Sequence, residues 1–316
     1  MSYNPTPGIP AEGPRPGGPA PDLPPEAAGR LSGGAFSSGL SVADFAASLR
    51  AGMRPVALVQ GFSVMGWSWY GAGSMYTMSG YGARSRWGTT LSNYRCPHGY
   101  VGADHRVWGE NFEQVWVRRA WQEGFATAYR RMLEEATAAG AHGVIGVTDT
   151  SRSLIDSSIR EFHIYGTAVV VDGAPPGPVW SSYLAGSRLA KLMEAGYAPV
   201  SVVASMASVR MWAVCRTEYL MKGQSYGYGS AYGYGAGDPG EIDQLADAQM
   251  QARRVARDHV RSSLGQDTLH GARLDVGQWE LGPGDLEVDC ILRGTRVRQA
   301  RPADPLPPPR LTVRLS

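Results

Sequence analysis

Two stretches of this 316-residue chain read as one pattern written twice, and no other feature narrows the fold as much. Residues 41–171 and 185–298 share an order of short helix, hydrophobic strand, long irregular insert, long helix and two strands. Gly52, Pro55 and Val56 in LRAGMRPVALV match Gly196, Pro199 and Val200 in MEAGYAPVSVV at one spacing. His142-Gly143 matches His270-Gly271, and Gly166-Thr167 matches Gly294-Thr295, at a second spacing. The difference between the two spacings falls in the insert. The long helices agree as well. Ala120, Gly124, Ala128, Met132 and Ala136 recur along one face of the first, and Ala248, Ala252, Ala256, Val260 and Leu264 along the second. Small residues at that period let a helix backbone lie close to a sheet. The pattern predicts an α+β fold: two tandem β-α-β-β domains, each with a long helix packed on a small antiparallel sheet.

The expected division is a disordered Pro/Gly-rich arm over 1–40, a first domain over 41–171, a linker over 172–184, a second domain over 185–298 and a Pro-rich tail over 299–316. Nine prolines in residues 1–34 leave too few apolar side chains to offset ordering entropy. Within the first domain, Ser41 caps a helix over Val42–Ala51 that Gly52 closes. A strand is expected over Arg54–Trp69, a helix over Phe112–Ala139, and strands over Val144–Asp149 and Glu161–Val171. The second domain repeats this with helices over Ser187–Ala195 and Ile242–Leu264.

Charged residues make up 18% of the chain and the net charge is +2, which argues against electrostatic capture of nucleic acid. No apolar run approaches the roughly 20 residues of a membrane-spanning helix, so no membrane partner is expected. Three scattered cysteines, Cys96, Cys215 and Cys290, do not make a disulfide framework, and no secretory signal is visible; a cytoplasmic setting is expected.

Residues able to carry chemistry are sparse. Cys96, His98 and His105 share the first insert and offer soft and borderline ligands for zinc or copper. His142 and His270 suit the C-terminal ends of the long helices, where a cation complements the dipole. His163 sits inside a strand as a packed or interface residue, and Cys290 reads as an inert buried thiol. Glu161 and Asp289 are equivalent acids at the start of the last strands. A site between repeats would need His142, His270, Glu161 and Asp289 together. No catalytic triad and no phosphate loop is present, and the expectation is that the chain is not an enzyme. The inserts are the stranger feature. GQSYGYGSAYGYGAGDPG over 223–240 alternates Gly with Tyr226, Tyr228, Tyr232 and Tyr234, the composition of binding loops. An interaction role for these tyrosines and for the Pro-rich tails, toward an unknown protein partner, is the leading expectation.

The segment A-x-x-R-M-L-E-E-A-x-x-x-G-A-H-G-V-I-G-V from Ala128 to Val147, followed by F-H-I-Y-G-T-A-V from Phe162 to Val169, resembles the YbjQ-like family, which is labelled heavy-metal-binding. The resemblance implies small β-α-β-β domains in ring-like homo-oligomers, of pentameric type. The second half keeps Leu269-His270-Gly271 and Gly294-Thr295, but the V-x-G-V glycine reads as lost, with Arg273-Leu274-Asp275-Val276 in its place. These motifs are structural glycines and core aliphatics; they specify a fold rather than a chemistry. Small sheets leave edges that invite pairing, which also points to a homo-oligomer.

Overall fold

In this computed structural model the described residues are 23–301 without 33–36, 67–93, 97–98, 102–108, 154–158, 176, 215–216, 218–219, 222–240 and 283–284. The chain is mixed α+β, with helices packed on two four-stranded sheets. Its elements are α1 (Pro25–Ser32), α2 (Val42–Arg50), β1 (Met53–Gly66), β2 (Tyr94–Cys96), β3 (Gly99–Val101), β4 (Asn111–Glu113), α3 (Val115–Ala138), β5 (Gly143–Ser153) and β6 (Ile159–Val171). There follow β7 (Trp180–Ser181), α4 (Gly186–Glu194), β8 (Tyr197–Trp212), α5 (Asp243–Leu264), β9 (Thr268–Gly282) and β10 (Asp285–Gln299). No described helix is long and apolar enough to cross a membrane.

The first sheet runs β1-β6-β5-β7 and the second β4-β8-β10-β9. In both, a long first strand pairs antiparallel with the last strand of a hairpin. The bulges coincide too. The β1/β6 ladder slips between Pro55 and Ala57, and the β8/β10 ladder slips where Val297 pairs with Pro199 and Arg296 with Ser201. The extra residue is therefore Val56 in one and Val200 in the other, as the spacing of Gly52 and Gly196 requires.

The middle strands correct the sequence reading. Gly140 and Gly265 follow the two long helices with φ of 67° and 59°, and Gly146 and Gly271 lie in the next strands with φ of 60° and 63°. Gly146 and Gly271 also mark the register slips against β6 and β10. Gly271, not a residue in 273–276, is thus the V-x-G-V glycine, and nothing was lost there. His142 and His270 are not counterparts: His270 pairs with Thr295, whereas Thr167 faces Ile145. The second hairpin is three residues longer between its bulge glycine and the G-T motif, and the shared His-Gly dipeptide hides this.

Other boundaries moved for physical reasons. Phe112 and Glu113, expected as the start of the helix, belong instead to the strand Asn111–Glu113 on the edge of β8, so α3 begins at Val115. Trp180–Ser181, expected as linker, joins the first sheet parallel to β5. The arm expected to be disordered over 1–40 contains α1 and an anchored stretch before α2. Ser41 caps α2 as expected, its hydroxyl accepting from the Asp44 N–H at 3.1 Å.

The layers stack as α5, second sheet, α3, first sheet. Gly124, Ala128, Met132 and Ala136 bury against the first sheet, and a side chain at Gly61 in β1 would run into the Ala128 carbonyl. The opposite side of α3, with Val117, Phe125 and Tyr129, meets Val202, Ala204 and Met206 of β8. The alternate residues of β8, Val203, Ala207, Val209 and Met211, meet Ala248, Ala252, Ala256 and Val260 of α5. β8 is consequently buried on both faces. The outer face of the first sheet is covered at one end by Leu189 of α4, over Met53, Ile145 and Val169. Beyond that, Phe62 and Val64 are about half exposed at 46% and 48%.

Candidate functional site: the insert end of the layers

The ends of the two long inserts are tied together. The first insert returns at Gly109, whose N–H donates to the Trp212 carbonyl at 2.9 Å, where the second insert departs. Gln244, in the first turn of α5, donates from Nε2 to the same carbonyl at 2.8 Å and accepts from the Val214 N–H at 3.0 Å. Its own carbonyl accepts from Asn111 Nδ2 at 2.9 Å. One glutamine therefore joins the return of the first insert to both ends of the second.

A polar cluster lies beside this junction, on the face of the second sheet that looks toward the first. Glu287 and Asp289 alternate along β10 and pair with Arg210 and Ser208 of β8. Ser208 Oγ donates to Glu287 Oε1 at 2.7 Å, and Trp279 Nε1 to Asp289 Oδ2 at 3.1 Å. Burial pushes both carboxyls above the usual carboxylate range; Glu287 is pushed further by the Asp289 charge, and Arg160 opposes the rise in both. The Arg210 guanidinium lies 5.4 Å from the Trp212 ring centroid, a cation–π distance. Asp289 Oδ1 and Arg160 Nε are buried without a hydrogen-bond partner among the described residues. The alternation Glu287-x-Asp289 puts both acids on one strand face, but nothing local in the sequence shows that this face is buried, and only Asp289 was expected to matter.

The G-T motifs have a structural employment. Thr167 Oγ1 accepts from the Gly39 N–H at 3.1 Å and lies 3.2 Å from Ser38 Oγ, which in turn accepts from the Leu40 N–H. Thr295 Oγ1 accepts from the Tyr183 N–H at 3.0 Å and lies 3.3 Å from Ser182 Oγ, which accepts from the Leu184 N–H. Ser37-Ser38-Gly39-Leu40 and Ser181-Ser182-Tyr183-Leu184 are thus matching lead-in segments, at the spacing of Gly52 and Gly196. That match was legible in the sequence and was missed.

Among the expected site residues, Cys96 ends β2, and His98 and His105 lie outside the described residues, as do Tyr226, Tyr228, Tyr232 and Tyr234. His142 Nδ1 accepts from the Val171 N–H at 3.0 Å, a strand-end contact. His163 lies on the outer face of the first sheet, 5.2 Å from Tyr165 and 6.3 Å from Phe62 between ring centroids. Cys290 is buried, and burial pushes its thiol up to about 11. The four residues of the suggested inter-repeat site do not converge. Glu161 pairs with Arg152 on the outer face of the first sheet, and Asp289 lies in the layer between the sheets. Gly143 and Arg152 mark the two ends of β5, so His142 and Glu161 stand about 30 Å apart at roughly 3.3 Å per residue.

A heavy metal finds no fitting donor set among the described residues: no three His, Cys, Asp or Glu side chains converge, and the buried carboxylates are hard oxygen donors facing Arg160. Residues 113–172, spanning α3, β5 and β6, match the YbjQ family model, described as "Putative heavy-metal-binding". No curated protein and no solved structure matches the chain.

Proposed function

We propose, for a chain whose residues 113–172 are YbjQ-like, a non-catalytic, self-assembling binding module that presents its two inserts as one interaction surface. The reading rests on the junction at Gln244, which gathers three insert ends at one point of a rigid framework. Loops held that way can offer tyrosine contact area at low entropic cost. The occupant is a protein partner, the setting is cytoplasmic, and the molecule acts as a homo-oligomer. Replacing residues 222–240 by a short Gly/Ser bridge tests it in pull-downs from the native host. Loss of specific partners is the expected result; an unchanged partner set counts against the reading.

The family description favours a second reading, a metal binder using Cys96, His98 and His105. Elemental analysis of untagged protein separates the two. Metal well below one equivalent, and unaltered by Cys96→Ser, removes the metal reading.

A further inference from the structure

Four buried side-chain atoms at the insert end of the layer between the sheets have no hydrogen-bond partner among the described residues: Gln114 Nε2, Trp121 Nε1, Arg160 Nε and Asp289 Oδ1. The fold brings their residues together. The Gln114 N–H donates to the Ser208 carbonyl at 2.8 Å, and Ser208 pairs with Asp289 across β8 and β10. Trp121 lies about two turns after Gln114, on the same face of α3. Its ring stands 5.8 Å from that of Phe162, edge-on, and Phe162 alternates with Arg160 on one face of β6. The Arg160 charge acts in turn on Glu287 and Asp289.

Burial makes these vacancies costly. Gln114, Trp121 and Asp289 are 7%, 0% and 6% exposed, and polar atoms at that depth are almost always bonded in folded chains. The neighbouring groups are already committed, Ser208 Oγ to Glu287 and Trp279 Nε1 to the other oxygen of Asp289. What is left open is three N–H donors and one carboxylate oxygen. There is also a way in. The cross-strand neighbour of Asp289 on the edge strand β9 is Gly277, which has no side chain. Only the Trp279 ring reaches over that position, 3.3 Å from where a Cβ would stand, and Trp279 is 55% exposed.

We propose that this end of the layer binds a protonated tetrahedral oxyanion, of which monohydrogen phosphate is the simplest. Its three unprotonated oxygens accept from Gln114 Nε2, Trp121 Nε1 and Arg160 Nε, and its hydroxyl donates to Asp289 Oδ1. Sulfate has the same shape and charge but no proton, so it sets a bare oxygen against the carboxylate and is rejected. A cation does not suit the set, because three of the four open positions are donors. This site goes beyond the binding-module reading and does not depend on it.

Titration calorimetry of the full-length protein at about pH 8, with sodium phosphate and sodium sulfate in separate runs, tests the assignment. One phosphate per chain is expected, with sulfate weaker by at least about a hundredfold. Gln114→Leu removes one donor and should weaken phosphate by at least about tenfold. Asp289→Asn offers an amide that can donate, so it should bind the two anions with similar affinity. It is the milder change and decides alone if Gln114→Leu fails to fold in a thermal melt. No phosphate binding at millimolar concentration means that water alone fills the layer, and overturns the proposal. So does equal affinity of the wild type for both anions, selectivity that survives Asp289→Asn, or binding that a folded Gln114→Leu leaves unchanged. The insert-deletion pull-down remains an independent test of partner binding.

Discussion

A threonine after a strand glycine has a single hydroxyl to commit, and Thr167 and Thr295 commit it to the backbone of a lead-in segment. Thr295→Val leaves the Tyr183 N–H without that acceptor in a buried layer and should cost about 1–3 kcal/mol in urea unfolding. Thr295→Ser should retain most of the stability. Gly61 is constrained differently: any Cβ meets the α3 backbone, with Met132 N at 2.6 Å. Gly61→Ala should therefore destabilise by about 3 kcal/mol, measured the same way. The threonine and glycine anchors were readable because each is fixed by backbone geometry that both halves share. The His-Gly pairing was misread because an identical dipeptide outweighed the glycine that the left-handed φ at 271 demands. No local sequence signal distinguishes those cases; the ladder register does.

At the level of elements, α3 and α5 show the same small-residue stripe and different fates. The far side of α3 carries Val117, Phe125 and Tyr129 and meets a second sheet, with Tyr129 Oη 2.7 Å from Ser181 Oγ. Burial first of all pushes that phenol up to about 12. The far side of α5 carries Arg254, Arg257 and Asp258, all exposed. Phe125→Ala should accordingly cost about 3–5 kcal/mol, and Arg254→Ala less than about 0.5, by chemical denaturation. The helix existence and the buried stripe follow from periodicity alone. The second buried face of α3 needed the position of β8, because aromatic residues at helical spacing serve a one-sided or a two-sided helix equally.

For the whole molecule, the two sheets share the core around α3, and Arg293 of β10 donates through Nε to both carboxylate oxygens of Asp149 in β5, at 2.9 and 2.7 Å. A single calorimetric transition is expected, rather than one per sheet. The pH dependence carries opposing contributions. Glu287 and Asp289 bind protons more tightly in the folded chain, so they lower stability as pH rises from the unfolded carboxylate value of about 4 through their raised folded values. Asp267 is held below its usual range by hydrogen bonding to Arg298, with Arg296 assisting. Its contribution is complete above about pH 4 and is lost as pH falls through its depressed value. The double variant Glu287→Gln/Asp289→Asn should raise the urea midpoint at neutral pH and flatten its slope against pH. The two-sheet architecture was legible from the repeated element order, whereas the acid pair was not, since its burial depends on the facing sheet.

The chain crosses from β6 to β7 in a short tether between Val171 and Trp180. That tether holds the Trp180–Leu184 strand at an effective concentration in the millimolar range, by the arithmetic of linked partners. Severing it enzymatically would turn an intramolecular addition into a bimolecular one. The two fragments would then be held by non-covalent contacts alone, the α3–β8 core and the Arg293–Asp149 pair among them, and their association would depend on concentration.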